Sequence, residues 1–156
     1  MDSKNTINHI DHKERNARNV EQMFSRIAAR YDLLNHILSL GLDIVWRKKV
    51  ARETAQISCR KILDVCTGTG DMAIERCRFW KGKTHIDGVD FSRELIQVAR
   101  KKVENARLQS LISFSEGNAE SLPYRDGQFD AITITFGLRN IHDRLKALKE
   151  FYRVAK

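Results

Sequence analysis

The 156 residues include a single proline, Pro123, only three cysteines, and no apolar run approaching the ~20 residues that a membrane-spanning helix requires. The opening MDSKNTINHIDHKE also lacks the apolar core of a secretory signal, so the expected location is the cytoplasm. Cys59, Cys66 and Cys77 have the spacing of neither a disulfide framework nor a zinc site, and they read as small buried hydrophobes of a reducing compartment. His9, His12, His36, His85 and His142 are scattered, so no metal site is expected. The formal charge of +8 comes from basic residues spread along the chain, without the concentrated tract and interleaved aromatics of a nucleic-acid surface. Nucleic acid is therefore not an expected partner. Weak attraction to an anionic membrane surface accounts for the same charge.

What remains is a globular composition, 42% apolar and 31% charged, on a chain long enough for one core. Residues 1–18 are polar and aperiodic and read as a mobile arm. Over 19–58 the rhythm becomes helical: Met23, Ile27, Tyr31, Leu34, Ile37 and Leu38 recur at three- and four-residue steps, with a break near Asn35 or Ser39 and an end at Gly41. A second helix carries Val45, Trp46, Val50 and Ala51 to about Ser58. This region is either a helical cap packed on the main domain or a lid that also touches substrate.

From residue 59 to 156 short apolar runs alternate with helical ones. Strands are expected at Lys61–Cys66, Thr84–Val89, Leu111–Phe114 and Phe129–Thr135, with helices at Asp71–Phe79, Glu94–Val103 and Leu145–Val154. That order predicts an α/β, Rossmann-like fold with a mostly parallel sheet, helices on both faces and every strand C-terminus at one edge. Phe129–Thr135 is expected at an open edge with apolar surface on both faces, so the domain reads as C-terminally incomplete or covered there by another chain. A homo-oligomer is compatible with that reading.

The run Asp64-Val65-Cys66-Thr67-Gly68-Thr69-Gly70-Asp71-Met72-Ala73 joins a strand to a helix. Gly68 and Gly70 permit a tight turn and close backbone approach to a ligand, and Ala73 permits close helix packing. Asp90 ends the next expected strand, where a carboxylate can accept both hydroxyls of a ribose; a capping aspartate is the bland alternative. Asp71 puts negative charge in the helix's first turn, close to where a dinucleotide's pyrophosphate would lie. A phosphate-free cofactor with a cationic centre, such as S-adenosylmethionine, suits that turn better, unless Asp71 merely favours the helix N-terminus. Asn118 and Ala119, after the third strand, are placed to border an adenine. Arg139 and Asn140, after the fourth, are poor core material and good site material, or else a solvated turn.

These segments carry a resemblance. VEQMFSRIAARYDLLNHILSLGLDIVWRKK, ILDVCTGTGDMAI, GVDFSRELIQVARKK, EGNAESLPY and FDAITITFGLRNIHD together resemble the menaquinone/ubiquinone biosynthesis C-methyltransferases, within the class I S-adenosylmethionine-dependent methyltransferases. The glycine motif is general to the superfamily; RYDLLN together with FGLRN is far more specific. The resemblance implies methylation of a demethylmenaquinol, with a related ubiquinol precursor as a further acceptor. It places Thr69 beside the methionine part of S-adenosyl-L-methionine, Asp90 on the ribose, Asn118 and Ala119 at the adenine and Thr135 beside the cofactor. Arg139 and Asn140 become the proton-handling pair, while Tyr31, Asn35 and Trp46 help enclose the acceptor. It also implies further strands after FYRVAK, which this sequence does not contain.

A ring carbon becomes nucleophilic when an attached hydroxyl loses its proton, so the implied task is orientation plus stabilisation of a phenolate. Arg139 suits the stabilising part, and the proton is expected to leave through a water held with Asn140 or through His142. The prenyl tail of such an acceptor implies transient visits to the inner face of a membrane. Two other classes stay open: a methyltransferase for another small molecule or nucleic acid, and a non-catalytic nucleotide-binding module. A base-flipping acceptor site is disfavoured, because no Asn-Pro-Pro-aromatic set is present.

Overall fold

A computed structural model describes residues 42–54, 59–80 and 84–156. The arm at 1–18 and the first expected cap helix, with Tyr31 and Asn35, lie outside the described residues.

The order is α1 (Leu42–Thr54), β1 (Lys61–Val65), α2 (Asp71–Trp80), β2 (His85–Asp90), α3 (Arg93–Asn105), β3 (Ile112–Glu116), β4 (Ala131–Ile134), a 3-10 turn (Leu138–Asn140) and α4 (Arg144–Val154). The four strands pair in parallel in the order β3-β2-β1-β4. β1 and β2 are central, and their KILDV and HIDGVD runs are buried from the second residue onward, as strands covered on both faces must be.

Alternation along β1 feeds two cores. Ile62 joins Ala73, Ile74, Cys77, Ile86, Ile96, Ala99, Val103 and Phe114 on one face. Leu63 and Val65 join Val89, Leu122, Phe129, Ala147, Phe151 and Val154 on the other. α3 starts where the Ser92 hydroxyl accepts the Leu95 amide, and it buries Leu95, Ile96, Ala99 and Val103. α4 starts the same way, with the Asp143 carboxylate accepting the Lys146 amide at 3.0 Å.

The fourth strand is shorter than its apolar pattern suggests. Phe129 pairs not with β1 but with Ala155, in a parallel bridge: its amide donates to the Val154 carbonyl and its carbonyl accepts from Lys156, both at 2.9 Å. Ala131–Ile134 then pairs with β1 and remains half-exposed along its length. Because β1, β2 and β3 run outward in one direction and β4 lies on the other side of β1, the strand order reverses between the C-termini of β1 and β4. Ligands of open parallel sheets bind at that point.

Candidate functional site

Cys66 follows β1 with a left-handed backbone, φ 53°, and Gly68 and Gly70 follow at φ 58° and 79°. This turn lifts the chain off the sheet before α2 begins. Gly70 is required by packing as well as by φ, since a Cβ there would stand 2.8 Å from the Phe114 ring. A Cβ on Gly68 would meet nothing within 4 Å, so the turn faces open space at that residue.

The turn is pinned from below. Asp64, 2% exposed, accepts the Thr67 hydroxyl at 2.7 Å on one oxygen and the Thr133 hydroxyl at 2.8 Å on the other. Burial raises its pKa, against those hydrogen bonds and the charge of the buried Arg76. Beside it, Asp90 receives the Gly68 amide at 2.8 Å on Oδ2 and the Ser92 amide at 3.0 Å on Oδ1. Burial raises the Asp90 pKa too, and the amides of Ser92, Gly68 and Phe91 oppose it. A carboxylate oxygen with one amide still has a lone pair to accept another donor. Asp90 is thus a fixed acceptor at the end of β2, tied directly to the glycine turn.

Asn118 is exposed and closes its own turn, its side-chain oxygen accepting the Glu120 amide at 2.8 Å. Ala119 next to it is buried in the core of the α4 face. Arg153 on α4 holds the following loop, donating to the Leu122 and Tyr124 carbonyls and to Glu150 and Asp126. Thr135 lies just beyond β4, partly buried.

The FGLRN segment closes on the glycine turn. Phe136 is left-handed at φ 61°, and Gly137 sits so close to Cys66 that a Cβ added to it would overlap the Cys66 Cβ and lie 2.9 Å from the sulfur. Arg139 and Asn140 form the exposed 3-10 turn that follows, braced by Arg144, which donates to the Leu138 and Arg139 carbonyls at 3.3 Å. Phe136 and Leu138 expose apolar surface beside them. The thiol of Cys66 is pushed up to about 12 by burial and by the charges of Asp90 and Asp64, which makes it packing material and not a nucleophile.

One expectation changes. The Asp71 carboxylate is not an uncompensated charge facing a ligand: Arg47 Nη1 meets it at 2.8 Å and Lys102 Nζ at 2.6 Å. With its charge answered, Asp71 no longer discriminates against a phosphate-bearing cofactor. Trp46 is 54% exposed with Lys49 Nζ 5.6 Å from its ring centre, and the neighbouring Arg47 ties α1 to the first residue of α2. Sequence reasoning missed Arg47 and Lys102 because nothing in the basic strings WRKK and ARKK marks which cation finds a partner. Among the described residues, no group of three or more His, Cys, Asp or Glu is placed to hold a metal ion, and no helix is long and apolar enough to cross a membrane.

Residues 11–156 match the model of the ubiE/COQ5 methyltransferase family. The chain belongs to that family. It is 44% identical over 135 residues to the demethylmenaquinone methyltransferase of Porphyromonas gingivalis, covering 86% of this chain and 55% of that protein. It is 43% identical over 137 residues to the ubiquinone/menaquinone biosynthesis C-methyltransferase UbiE of Geobacter sp. strain M21, covering 88% and 58%. The chain thus spans less than three-fifths of the length of either relative.

Among solved structures, an S-adenosylmethionine-dependent methyltransferase from Aquifex aeolicus superposes with a TM-score of 0.58 at 27% identity, covering 62% of this chain and 51% of that one. The [4+2]-cyclase SpnF superposes with a TM-score of 0.73 at 24% identity, covering 88% and 55%. The fold of this ubiE/COQ5 member is the class I, Rossmann-like methyltransferase fold, and S-adenosyl-L-methionine is the cofactor that the family and fold take. That a cyclase shares the architecture leaves the reaction to be argued from the site.

Proposed function

We propose that this chain forms the cofactor-binding and acceptor-orienting part of a C-methyltransferase that converts a demethylmenaquinol to menaquinol, with a ubiquinol precursor as a further acceptor. The observation that carries the reading is the contact between Gly137 and Cys66, which brings the FGLRN turn against the glycine turn at the point where strand order reverses.

Gly68, Thr69 and Gly70 would hold the amino-acid part of the cofactor, Asp90 its ribose, Asn118 and Ala119 its adenine, and Thr135 would flank it. When bound, S-adenosyl-L-methionine supplies an electrophilic methyl group. The nucleophile is a ring carbon of the acceptor, made electron-rich when the attached hydroxyl loses its proton. Arg139, whose guanidinium carries donors only, stabilises the phenolate oxygen that activates the ring. A water ordered by Arg139 and Asn140 accepts the hydroxyl proton; after the methyl group leaves the sulfonium, which becomes a neutral thioether, the methylated ring carbon gives up its hydrogen and the oxygen is reprotonated, so one proton is released overall. Phe136 and Leu138 offer apolar contact to the ring or the first prenyl carbons, and the family resemblance extends the acceptor side to Trp46 and, outside the described residues, to Tyr31 and Asn35. Each methylene taken from water contributes about 0.8 kcal/mol, so a prenyl acceptor resides in a bilayer and the enzyme meets it by transient surface association.

The test gives the intact gene product labelled S-adenosyl-L-methionine with demethylmenaquinol, a demethylated ubiquinol precursor or no acceptor, and identifies products by mass. A ring-methylated naphthoquinol is expected. Cofactor binding without methylation of either quinol would support a binding module instead.

A further inference from the structure

The cluster around Asp71 lies outside every role assigned above. Asp71 divides its carboxylate between two elements: Oδ2 accepts from Arg47 of α1 and Oδ1 from Lys102 of α3. Lys102 also donates to the Thr69 hydroxyl at 3.0 Å. One ammonium therefore spans the second residue of the Gly68-Thr69-Gly70 turn and the first residue of α2. A cavity of about 510 Å³ opens over this cluster, lined by Arg47, Asp71, Ile74, Glu75, Arg78 and Lys102.

An ammonium has donors only, so Thr69 presents an oxygen lone pair to Lys102, and this holds the Thr69 oxygen toward α3. Thr69 is 4% exposed, which makes the orientation of that buried hydroxyl consequential for the turn around it. The contacts are charge-assisted and part-buried, the class in which geometry is held most firmly. Lys102 also comes from the helix that follows Asp90. Asp90 and Lys102 consequently grip the turn from its two ends, one through the Gly68 amide and the other through the Thr69 hydroxyl.

We propose that Lys102 is a positioning residue for the cofactor turn, and that the Asp71–Arg47 pair passes its constraint to α1, so that cofactor binding and docking of α1 reinforce each other. The proposal rests on the assignment of the glycine turn to S-adenosyl-L-methionine. Reciprocity follows from linkage: whatever stabilises the docked α1 tightens the cofactor, and the cofactor in turn steadies α1. Because α1 carries Trp46, the same coupling ties cofactor occupancy to the proposed acceptor enclosure.

The experiment titrates S-adenosyl-L-methionine into the intact gene product by calorimetry, using wild type, Lys102→Met, Lys102→Arg and Arg47→Met, each with its cofactor-free melting temperature. Hydrogen exchange over 42–54 is followed with and without cofactor. Lys102→Met is expected to weaken binding about tenfold, the scale of one charge-assisted hydrogen bond, with Lys102→Arg restoring most of it. Cofactor should slow exchange in 42–54 of wild type, and Arg47→Met should abolish that slowing while keeping its melting temperature. Wild-type affinity in Lys102→Met overturns the positioning role. So do equal losses in Met and Arg variants accompanied by a lowered melting temperature, which is the signature of a structural role alone. Exchange in 42–54 indifferent to cofactor in wild type overturns the coupling. A wild-type protein that binds no cofactor overturns the underlying assignment, a result distinct from the others.

Discussion

Gly137 rests on Cys66 with no room for a methyl group between them, and through that contact the last turn of the site is keyed to the first. Gly137 has φ −80°, a conformation open to any residue, so the requirement is steric and not conformational. Gly137→Ala is expected to cost about 1–3 kcal/mol, the range for an extra methyl forced into a packed site, measured by urea unfolding. Cys66→Gly removes the Cβ that the new methyl would strike and relieves a left-handed non-glycine residue. The double variant should then be more stable than Gly137→Ala alone. Additive effects would mean that the contact does not set the spacing of the two turns.

Thiol chemistry offers a second test. Burial is the leading cause of raised pKa values at all three cysteines: Cys66 to about 12, Cys77 to about 11, and Cys59 upward. The thiolate is the reactive form, so a disulfide reagent at pH 8 should react with the native protein far more slowly than with protein in denaturant. Rapid labelling of Cys66 in the native protein would contradict its place as packing between the two turns.

The loop behind Asn118 and Ala119 should respond to acid. Glu150 takes two 2.7 Å hydrogen bonds from Arg153, which are the largest cause of its fall from 4.5 to about 2; the Leu122 amide adds to it. A depressed carboxylate contributes stability above its unfolded pKa and loses it as pH falls through the folded one. Glu150→Gln should therefore be less stable than wild type at pH 6, with the gap closing between pH 4.5 and about 2. Asp64 and Asp90 act in the opposite sense: their pKa values are raised, so their contribution is fully present below 3.8 and lost as pH rises. A gap of equal size at pH 6 and pH 2.5 would remove Glu150 from the account.

Much of this was legible in the chain. Ile62, Leu63 and Val65 on one side of Gly68 and Gly70, with Asp90 some 20 residues on, place a glycine turn between a central strand and a helix, and the molecule has that arrangement. The strand at Phe129 was legible as β but not as to its neighbour, because alternation reports burial and not which strand lies alongside. Gly137 reads in sequence as turn punctuation, and its steric task shows only when Cys66 arrives from 71 positions away. The pairing of Asp71 with Arg47 and Lys102 was hidden for the same reason. Formal charge at one position says nothing about partners supplied by α1 and α3.

The proposed division of labour is that Asp90 and the glycine turn hold the cofactor while Arg139 serves the acceptor alone. The most direct measurement compares Arg139→Ala with wild type in the intact gene product, taking the cofactor dissociation constant and the single-turnover rate of quinol methylation on the same preparations. The account predicts an unchanged dissociation constant and a rate lower by about 10²–10³, the usual loss when one donor to a developing oxyanion is removed. Equal losses in binding and rate, or no loss of rate, would contradict it.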